Sequence, residues 1–232
     1  AGQQAEASLV PGITVWGAGR LAEVVDLLEG KPVFNPTEAA ASSSPPLEGM
    51  AAFTPDLADV VGHEDGKFAL EVAAAGRHHL FLHGAPGVGK TMLASRLPSI
   101  LPDLAEDEAV EVSAIHSLAG RELTGLIVRP PYSDPHHSAT PAALVGGGTA
   151  ELKPGAISLA HRGVLFLDEC PDFGSKLDAL RTPLEDGTIT VSRARHSTRF
   201  PARFQLVMAA NPCPCGNFGV AGLECRCDPT RV

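Results

Sequence analysis

The fold of this chain is decided by the stretch from His79 to Thr91, which reads HLFLHGAPGVGKT. Its first part, residues 79–82, is a short apolar run that predicts a buried strand. Its second part fits the pattern G-x-x-x-x-G-K-[ST] at every position, through Gly84, Ala85, Pro86, Gly87, Val88, Gly89, Lys90 and Thr91. A strand that leads through this loop into a helix predicts a phosphate-binding loop.

The residue types in this loop suit a triphosphate ligand. Glycine lets the backbone turn its N–H groups inward around an anion, and the following helix points its positive end at the same place. Lys90 can reach the β- and γ-phosphates, and the Thr91 hydroxyl can ligate Mg²⁺. A chance glycine-rich turn is the alternative, but it requires neither the strand nor the helix. We therefore predict an ATP site that uses Mg²⁺.

A second apolar run ends in two carboxylates. Residues 163–167 predict a buried strand, and Asp168 and Glu169 follow it directly. The carboxyl end of a parallel strand faces the phosphate loop, so Asp168 can hold Mg²⁺ through water and Glu169 can orient or deprotonate the attacking water. Acidic residues end many strands, so the pair is informative only together with the loop. The combination predicts hydrolysis of ATP rather than phosphoryl transfer to a metabolite.

A third candidate catalytic residue, beside Glu169 and Lys90, is Asn211. Residues 204–209 predict another buried strand, which delivers Asn211 to the same edge of the sheet. A neutral amide at that edge can hydrogen-bond the γ-phosphate or the attacking water. Asparagine before proline is also an ordinary turn signal, and this second interpretation stays open.

The chain divides into a short first piece, a linker and one large domain. Residues 1–34 predict only a strand at 13–16 and a helix at 21–28, and residues 35–55 have the alanine, serine and proline runs of a linker. From residue 56 to residue 232, apolar strands alternate with predicted helices at 59–75, 89–97, 106–119 and 173–185. This alternation predicts an α/β fold, with a parallel sheet sandwiched between helices. We interpret residues 120–160, rich in glycine, proline and histidine, as an insertion outside the core.

The chain is acidic overall, with 18 Lys and Arg against 27 Asp and Glu and a net charge of −9. Contact with DNA would therefore have to be local, because phosphate binding depends on basic side chains. A predicted hairpin over residues 189–203 offers one such place, with Arg193, Arg195 and Arg199 as candidate DNA contacts. A solvated hairpin whose charges prevent edge aggregation is an equally weighted alternative.

Four of the five cysteines form the pattern C-x-C-x9-C-x-C, made by Cys213, Cys215, Cys225 and Cys227. Four thiolates can bind Zn²⁺ tetrahedrally, although C-x-C suits one metal less well than C-x2-C, and four reduced thiols are the alternative. The clustering favours a reducing cytoplasm over a disulfide scaffold. No signal segment or long apolar run indicates a membrane protein.

Taken together, these segments resemble the magnesium-chelatase-like AAA+ ATPases, in the branch that includes ComM and YifB. The resemblance covers about residues 56–219 and rests on residues 78–101, 135–138, 143–148, 157–169, 183–187, 191–195 and 211–216. It implies Walker A and Walker B roles for Lys90, Thr91, Asp168 and Glu169. It also implies a sensor role for Asn211 and an adenine clasp at Val61 and Gly62.

The same resemblance makes residues 120–160 a helix-2 insert and residues 187–203 the hairpin before the sensor strand. It implies a homo-oligomeric ring, expected to be a hexamer, with ATP at the subunit interfaces. ComM-type members are associated with branch migration of DNA, so we expect a motor that acts on DNA. Residues 1–34 resemble the tail of a Lon-protease-like domain.

Two departures from the family pattern affect these expectations. The segment Tyr132-Ser133-Asp134 stands where a Phe-Arg-Ala-like segment is expected, and its acid weakens the case for DNA contact there. The arginine finger and the helical lid of the family pattern lie beyond Val232, so we expect this chain to bind ATP but hydrolyse it slowly.

Two alternative functions stay open. A magnesium-chelatase-type motor that remodels a protein partner would share the ATP site, but it predicts an acidic segment after Asn211, where this chain has cysteines. A binding module without enzymatic activity is the other alternative. The complete set of Lys90, Asp168 and Glu169 argues against it.

Overall fold

The computed structural model describes residues 3–31, 36–37, 55–148, 152–193, 196–220 and 222–228. The chain divides into two compact units, one of residues 1–52 with 122–126 and one of residues 53–121 with 127–232. Most of the predicted linker lies outside the described residues. Among the residues that the structure describes, no helix combines the length and apolar character needed to cross a membrane.

The smaller unit contains two short helices and one strand pair. The helices are α1 (Gln4–Ala7) and α2 (Leu21–Leu28), and the antiparallel strands are β1 (Val15–Trp16) and β2 (Pro36–Thr37). The predicted helix at 21–28 has the observed bounds, whereas the predicted strand at 13–16 begins two residues late. Neither helix has a buried residue in the described structure. This agrees with the expectation that the piece is too small for a core of its own.

The larger unit alternates strands with helices, as predicted. Its helices are α3 (Glu64–Gly76), α4 (Lys90–Ala94), α5 (Glu106–Leu118), α6 (Pro141–Val145), α7 (Ala156–Leu159) and α8 (Arg181–Asp186). Its strands are β3 (Leu80–His83), β4 (Tyr132–Ser133), β5 (Gly146–Gly147), β6 (Lys153–Pro154), β7 (Val164–Leu167), β8 (Thr188–Arg193), β9 (His196–Pro201) and β10 (Gln205–Ala210). Short 3₁₀ helices lie at Leu57–Asp59, Leu97–Ile100 and Cys170–Leu180.

A four-stranded sheet in the order β3-β10-β7-β4 forms the centre of this unit. All three strand pairs are parallel, so the carboxyl ends of the four strands lie at one edge. β7 is buried along its whole length and β10 nearly so. This explains why both read in the sequence as continuous apolar runs rather than alternating ones.

The two faces of the sheet pack against separate apolar layers, because neighbouring strand residues point to opposite faces. On one face, residues of β7 and β10 pack with parts of α7, the 3₁₀ segment and the hairpin β8–β9. That cluster includes Leu165, Leu167, Leu206, Ile157, Phe173, Ile189 and Phe200. On the other face, β7 and β10 pack against α3 and α4 through Val164, Phe166, Val207, Leu70 and Leu93. Helices on both faces confirm the predicted architecture.

The predicted hairpin is present as the antiparallel pair β8–β9, with Arg193 opposite His196. Ile189, Val191 and Phe200 anchor it in the core. Its turn residues, Ala194 and Arg195, lie outside the described residues.

The prediction that residues 120–160 lie outside the core is wrong at three places, one of which is Leu144 of α6, a core residue that is 4% exposed. Tyr132 and Ser133 form β4, which pairs with Val164 and Leu165, and the Tyr132 ring stacks on Phe166. Ile157 is 1% exposed and belongs to the core. A strand of two residues is too short to show an apolar period, so its membership of the sheet depends on long-range pairing.

Two predicted helices have different bounds for local backbone reasons. The helix predicted at 59–75 begins only at Glu64, because Gly62 (φ 74°) and His63 (φ 57°) adopt left-handed conformations that a helix cannot include. The helix predicted at 173–185 is a 3₁₀ segment, interrupted at Gly174 (φ 53°, ψ −132°), followed by α8.

Candidate nucleotide-binding site

The phosphate loop connects β3 to α4 at the carboxyl edge of the sheet. Its entry is held by β10, since the Gly84 N–H donates to the Ala210 carbonyl at 3.3 Å. Gly87 and Gly89 have φ angles of 78° and 86°, which L side chains rarely adopt. The pattern therefore needs glycine at these two positions for the backbone path itself.

Lys90 is held in the middle of the loop by three hydrogen bonds. Its Nζ donates to the carbonyl oxygens of Gly84 at 2.8 Å and Ala85 at 2.9 Å, and to Asn211 Oδ1 at 2.9 Å. Asn211 directly follows β10, so the sheet brings together residues 121 positions apart. The ammonium group therefore lies where it can meet phosphate oxygens.

Thr91 and Asp168 form the adjoining pair. The Thr91 hydroxyl donates to Asp168 Oδ2 at 2.6 Å, and Asp168 Oδ1 accepts the Glu169 N–H at 2.9 Å. A hydroxyl and a carboxylate are hard oxygen donors of the kind that Mg²⁺ takes together with water and phosphate oxygens. The residues present therefore fit Mg²⁺ at this position.

Glu169 has an unusual backbone. Its φ of 50° places it in the left-handed region, where non-glycine residues are uncommon and strained conformations gather at functional sites. Its carboxylate Oε2 lies 3.2 Å from Nδ1 of His137, and its side chain is 51% exposed. The carboxylate of the catalytic candidate is thus turned towards solvent and lies beside His137.

His137 is a site residue that the sequence did not identify. Its carbonyl oxygen accepts a hydrogen bond from Nζ of Lys176, and its ring packs beside that of His136, with centroids 4.1 Å apart. A cavity of about 330 Å³ beside Asp168 is lined by Thr91, Asp134, Pro135, His136, His137, Phe166, Asp168 and Glu169. The sequence pointed to this region because residues 135–138 resemble the family, but only the fold shows that His137 lies beside the Glu169 carboxylate.

The adenine-clasp candidates lie close to the loop along the chain. Val61 is 94% exposed, and Gly62 has a φ of 74°. The next residue, His63, lies against the phosphate loop, since a Cβ added at Gly89 would be 3.4 Å from His63 Nε2. The exposed apolar side chain of Val61 therefore lies two residues before His63, which contacts the phosphate loop.

The four clustered cysteines converge, as a zinc site requires. Their sulfur atoms all lie within 4.8 Å of one another, and Cys213, Cys215 and Cys225 are separated by 3.4, 3.7 and 3.6 Å. None is in a disulfide. The Asn217 backbone N–H and the neighbouring Cys213 thiol lower the pKa of Cys215 to about 6, whereas the neighbouring thiols raise the pKa of Cys227 to about 12.

The candidate DNA contacts are only partly described. Arg199 is exposed on β9, opposite Thr190, and is not among the residues that line the cavity. Arg193 belongs to β8, but its side chain lies outside the described part of the chain, as does Arg195. Of the three candidate arginines, the structure therefore shows the side chain of Arg199 alone, and this side chain is exposed on the hairpin.

A parallel sheet of this order, with a phosphate loop, an acidic pair and an asparagine at its carboxyl edge, defines an AAA+ P-loop nucleotide-binding fold. The sequence profile described as "Magnesium chelatase, subunit ChlI" matches residues 56–232. The chain therefore belongs to the magnesium chelatase subunit ChlI family, which confirms the resemblance seen in the sequence.

Relatives support the same assignment. The chain is 56% identical over 214 residues to the uncharacterized protein Rv2897c of Mycobacterium tuberculosis, covering 90% of this chain and 41% of that protein. It is 47% identical over 230 residues to the competence protein ComM of Haemophilus influenzae, covering 98% and 44%. The chain thus spans less than half the length of these relatives.

A solved structure supports the fold. The complex between subunits BchI and BchD of magnesium chelatase, built from a cryo-EM reconstruction, matches with a TM-score of 0.51 and 29% identity. The match covers 66% of this chain and 53% of that one.

Proposed function

We propose that this chain is the ATP-binding and ATP-hydrolysing core of a ring-forming AAA+ motor. The observation that carries the proposal is that hydrogen bonds pair Lys90 with Asn211 and Thr91 with Asp168 at one sheet edge. These four groups come from three separate strand ends. Such convergence is what transfer of a phosphoryl group to water requires, because the chemistry depends on positioning and charge stabilisation.

Each residue has a distinct role in this proposal. The loop from Gly84 to Gly89 surrounds the phosphates with backbone N–H groups, and Lys90 neutralises the β- and γ-phosphates. Thr91 and Asp168 hold Mg²⁺, which supplies positive charge to the transferred group when it is bound. Val61 and Gly62 flank the adenine.

Glu169 is the proposed general base. It takes a proton from the attacking water, and its exposed carboxylate faces the cavity beside Asp168. Asn211 holds the γ-phosphate or the water by its amide and is already bonded to Lys90. His137 is a positioning residue that orients the Glu169 carboxylate.

We further propose that the motor acts on DNA in the cytoplasm, in a branch-migration or helicase-like role, as a homo-oligomeric ring that is expected to be a hexamer. Support comes from the 47% identity to a competence protein and from the exposed Arg199 of the hairpin. The net charge of −9 requires any DNA contact to be local, as a hairpin allows.

The second candidate is a magnesium-chelatase-type motor that remodels a protein partner. It is favoured by the family match and by the fold match to a complex of subunits BchI and BchD. The segment after Asn211 distinguishes the two candidates, because this chain has a cysteine loop there. For the same loop we propose Zn²⁺ as a third cofactor beside ATP and Mg²⁺.

The test is ATP hydrolysis by the full-length native protein without DNA, with single-stranded DNA and with a four-way junction, each at two salt concentrations. Stimulation by DNA that fades at high salt supports the DNA motor, since phosphate contacts weaken with salt. Arg199→Ala should then reduce the stimulation, whereas Arg181→Ala, an exposed arginine in α8, should not. Brisk hydrolysis that ignores DNA would favour the chelatase-type motor, and no hydrolysis would refute both.

A further inference from the structure

The large apolar side chains described in the cysteine loop after Asn211 do not pack into the protein core. Its large apolar residues are exposed, Phe218 at 53% and Leu223 at 56%. The described residues from 212 to 228 form turns and bends without a helix or strand, held by local bonds such as that from the Gly216 N–H to the Cys213 carbonyl. A small module of this kind generally needs a covalent or metal cross-link to stay folded.

The sulfur geometry supplies such a cross-link. Zn–S bonds of about 2.3 Å place the sulfurs of a tetrahedral site about 3.8 Å apart. The sulfur pairs among Cys213, Cys215 and Cys225 lie at 3.4 to 3.7 Å, far longer than a disulfide bond of about 2.05 Å. Backbone N–H groups also point at two of the sulfurs, from Cys215 to Cys227 Sγ at 3.3 Å and from Phe218 to Cys213 Sγ at 3.4 Å. Such second-shell donors stabilise thiolates around a metal.

The same loop touches the phosphate loop at two points. Asn211 Oδ1 accepts from Lys90 at one end of the phosphate loop. At the other end, Gly216 lies directly against Pro86, because a Cβ added at Gly216 would collide with the Cδ and Cγ atoms of the Pro86 ring. Gly216 is buried and sits between Cys215 and the rest of the cysteine loop.

We infer that the four cysteines bind Zn²⁺ and that the metal braces the phosphate loop through the contact of Gly216 with Pro86. The metal fixes the turn 213–216, and this turn limits how far Pro86 can move from the phosphates. Loss of the metal leaves the central sheet folded but lets the loop drift, which weakens ATP binding. The inference rests on the proposed nucleotide site, and it adds a metal that acts on that site without touching the nucleotide.

The first experiment measures zinc in the full chain purified without chelator, and Mg-ATP affinity before and after the metal is removed. We expect about one zinc per chain, and roughly ten-fold weaker ATP binding without it, since small displacements of binding groups are costly. Cys225→Ser combined with Cys227→Ser, on the side of the loop away from Asn211, should lose zinc and show the same weakening. Less than about a tenth of an equivalent of zinc after reloading would overturn the metal site.

The second experiment isolates the contact with Pro86. Gly216→Ala keeps all four cysteines but adds a methyl group against the proline, so it should retain zinc and still bind ATP several-fold more weakly. Gly219→Ala is the matched control, because Gly219 has nearly the same φ (74° against 77°) but nothing within 4 Å of an added Cβ. Equal ATP affinities in the two variants would overturn the brace.

The two experiments separate the inference from the proposed function. If zinc-loaded protein does not bind ATP at all, the nucleotide site itself is wrong, and the zinc measurement still reports on the cysteines. If ATP binds equally well with and without zinc, the nucleotide site stands and the brace is refuted.

Discussion

The two edges of the central sheet place similar polar residues in different surroundings. At the carboxyl edge, Lys90 is bonded to two loop carbonyls and Asn211, and Asp168 and the half-exposed Glu169 border an open cavity. At the amino edge, buried and partly buried polar side chains pair with one another. His161, whose side chain is 2% exposed, lies 3.0 Å from Glu111, and Arg162 lies 2.9 Å from Glu108.

The amino-edge pairs connect the sheet to its surroundings. His161 and Arg162 come just before β7 and reach to α5, while the His161 ring accepts the Arg203 N–H at 2.9 Å before β10. Gln205 donates to the carbonyls of Ala73 and His78, which ties β10 to the end of α3. Both edges contain a non-glycine residue in the left-handed region, Arg162 at φ 62° and Glu169 at φ 50°.

Residue type and backbone strain therefore do not by themselves mark a functional site. Strain at Arg162 is held by ion pairs on a buried edge, whereas strain at Glu169 presents a carboxylate to open space. Substitutions at the carboxyl edge should therefore change nucleotide chemistry with little effect on stability. Substitutions at the amino edge should do the reverse.

The largest effect is expected from Lys90→Ala. It removes the charge that faces the phosphates, and charge-assisted hydrogen bonds are worth about 1.5–3 kcal/mol each, so Mg-ATP affinity should fall by about 100-fold or more. Isothermal titration calorimetry measures this directly, and the melting temperature should change little. Lys153→Ala, at an exposed lysine in β6, is the control. Undiminished affinity in Lys90→Ala would overturn the whole site.

Glu169→Gln should come next in size. It keeps the shape of the side chain but removes the proposed base, so the hydrolysis rate should fall by about 100-fold or more while ATP binding stays intact. The rate and the affinity are measured on the same full-length preparation. Glu185→Gln, at an exposed glutamate of α8, should leave both unchanged. A hydrolysis rate close to that of the wild type would assign the base elsewhere.

At the amino edge we expect an effect of acid on stability. Burial lowers the pKa of His161 below its usual 6.5, despite the neighbouring Glu111, so the folded state keeps this ring neutral while the unfolded chain protonates it. The stability contributed by neutral His161 is therefore present above pH 6.5 and is lost as the pH falls towards the folded-state pKa. The pKa of Glu111 is also lowered, by His161 and Arg162 acting against burial, and adds to the loss at still lower pH.

This dependence can be measured as the melting temperature between pH 7.5 and pH 5.5. We expect a decrease of about 3 °C or more, corresponding to about 1 kcal/mol for a chain of this size. His161→Gln should lower the melting temperature at pH 7.5 and flatten its pH dependence, since the titrating ring is gone. His136→Gln, at an exposed histidine, should keep the wild-type slope. An unchanged slope in His161→Gln would show that the acid response comes from other groups.

The smallest effect is expected at His137. His137→Ala removes the 3.2 Å contact between His137 Nδ1 and Glu169 Oε2, so it should reduce kcat by about three- to ten-fold, roughly the value of one polar contact, with KM unchanged. A merely structural role would lower the melting temperature without altering the pH profile of kcat. His137→Asn, which can still donate to the carboxylate, should recover part of the rate. Equal rates in His137→Ala and the wild type would remove the residue from the mechanism.

The sequence predicted the elements whose signals are local. Continuous apolar runs mark β7 and β10, and the pattern of glycines with Lys90 and Thr91 marks the phosphate loop. Each lies within about one residue of its predicted place. The convergence of Lys90, Asp168 and Asn211 followed from one rule, that parallel strands end at the same edge. β4 was missed because a strand of two residues has no period, and the start of α3 was misplaced because left-handed His63 looks ordinary in the sequence.

The class of fold and the type of ligand could be predicted from the sequence alone, because backbone geometry and phosphate charge require the residue types of the phosphate loop and the strand-ending carboxylates. Only the tertiary structure decided which distant groups meet. His137 reaches Glu169 and Gly216 rests on Pro86 because long-range strand pairing brings together loops far apart in the chain. Local patterns contain no information on such contacts, since they depend on how whole strands and helices pack.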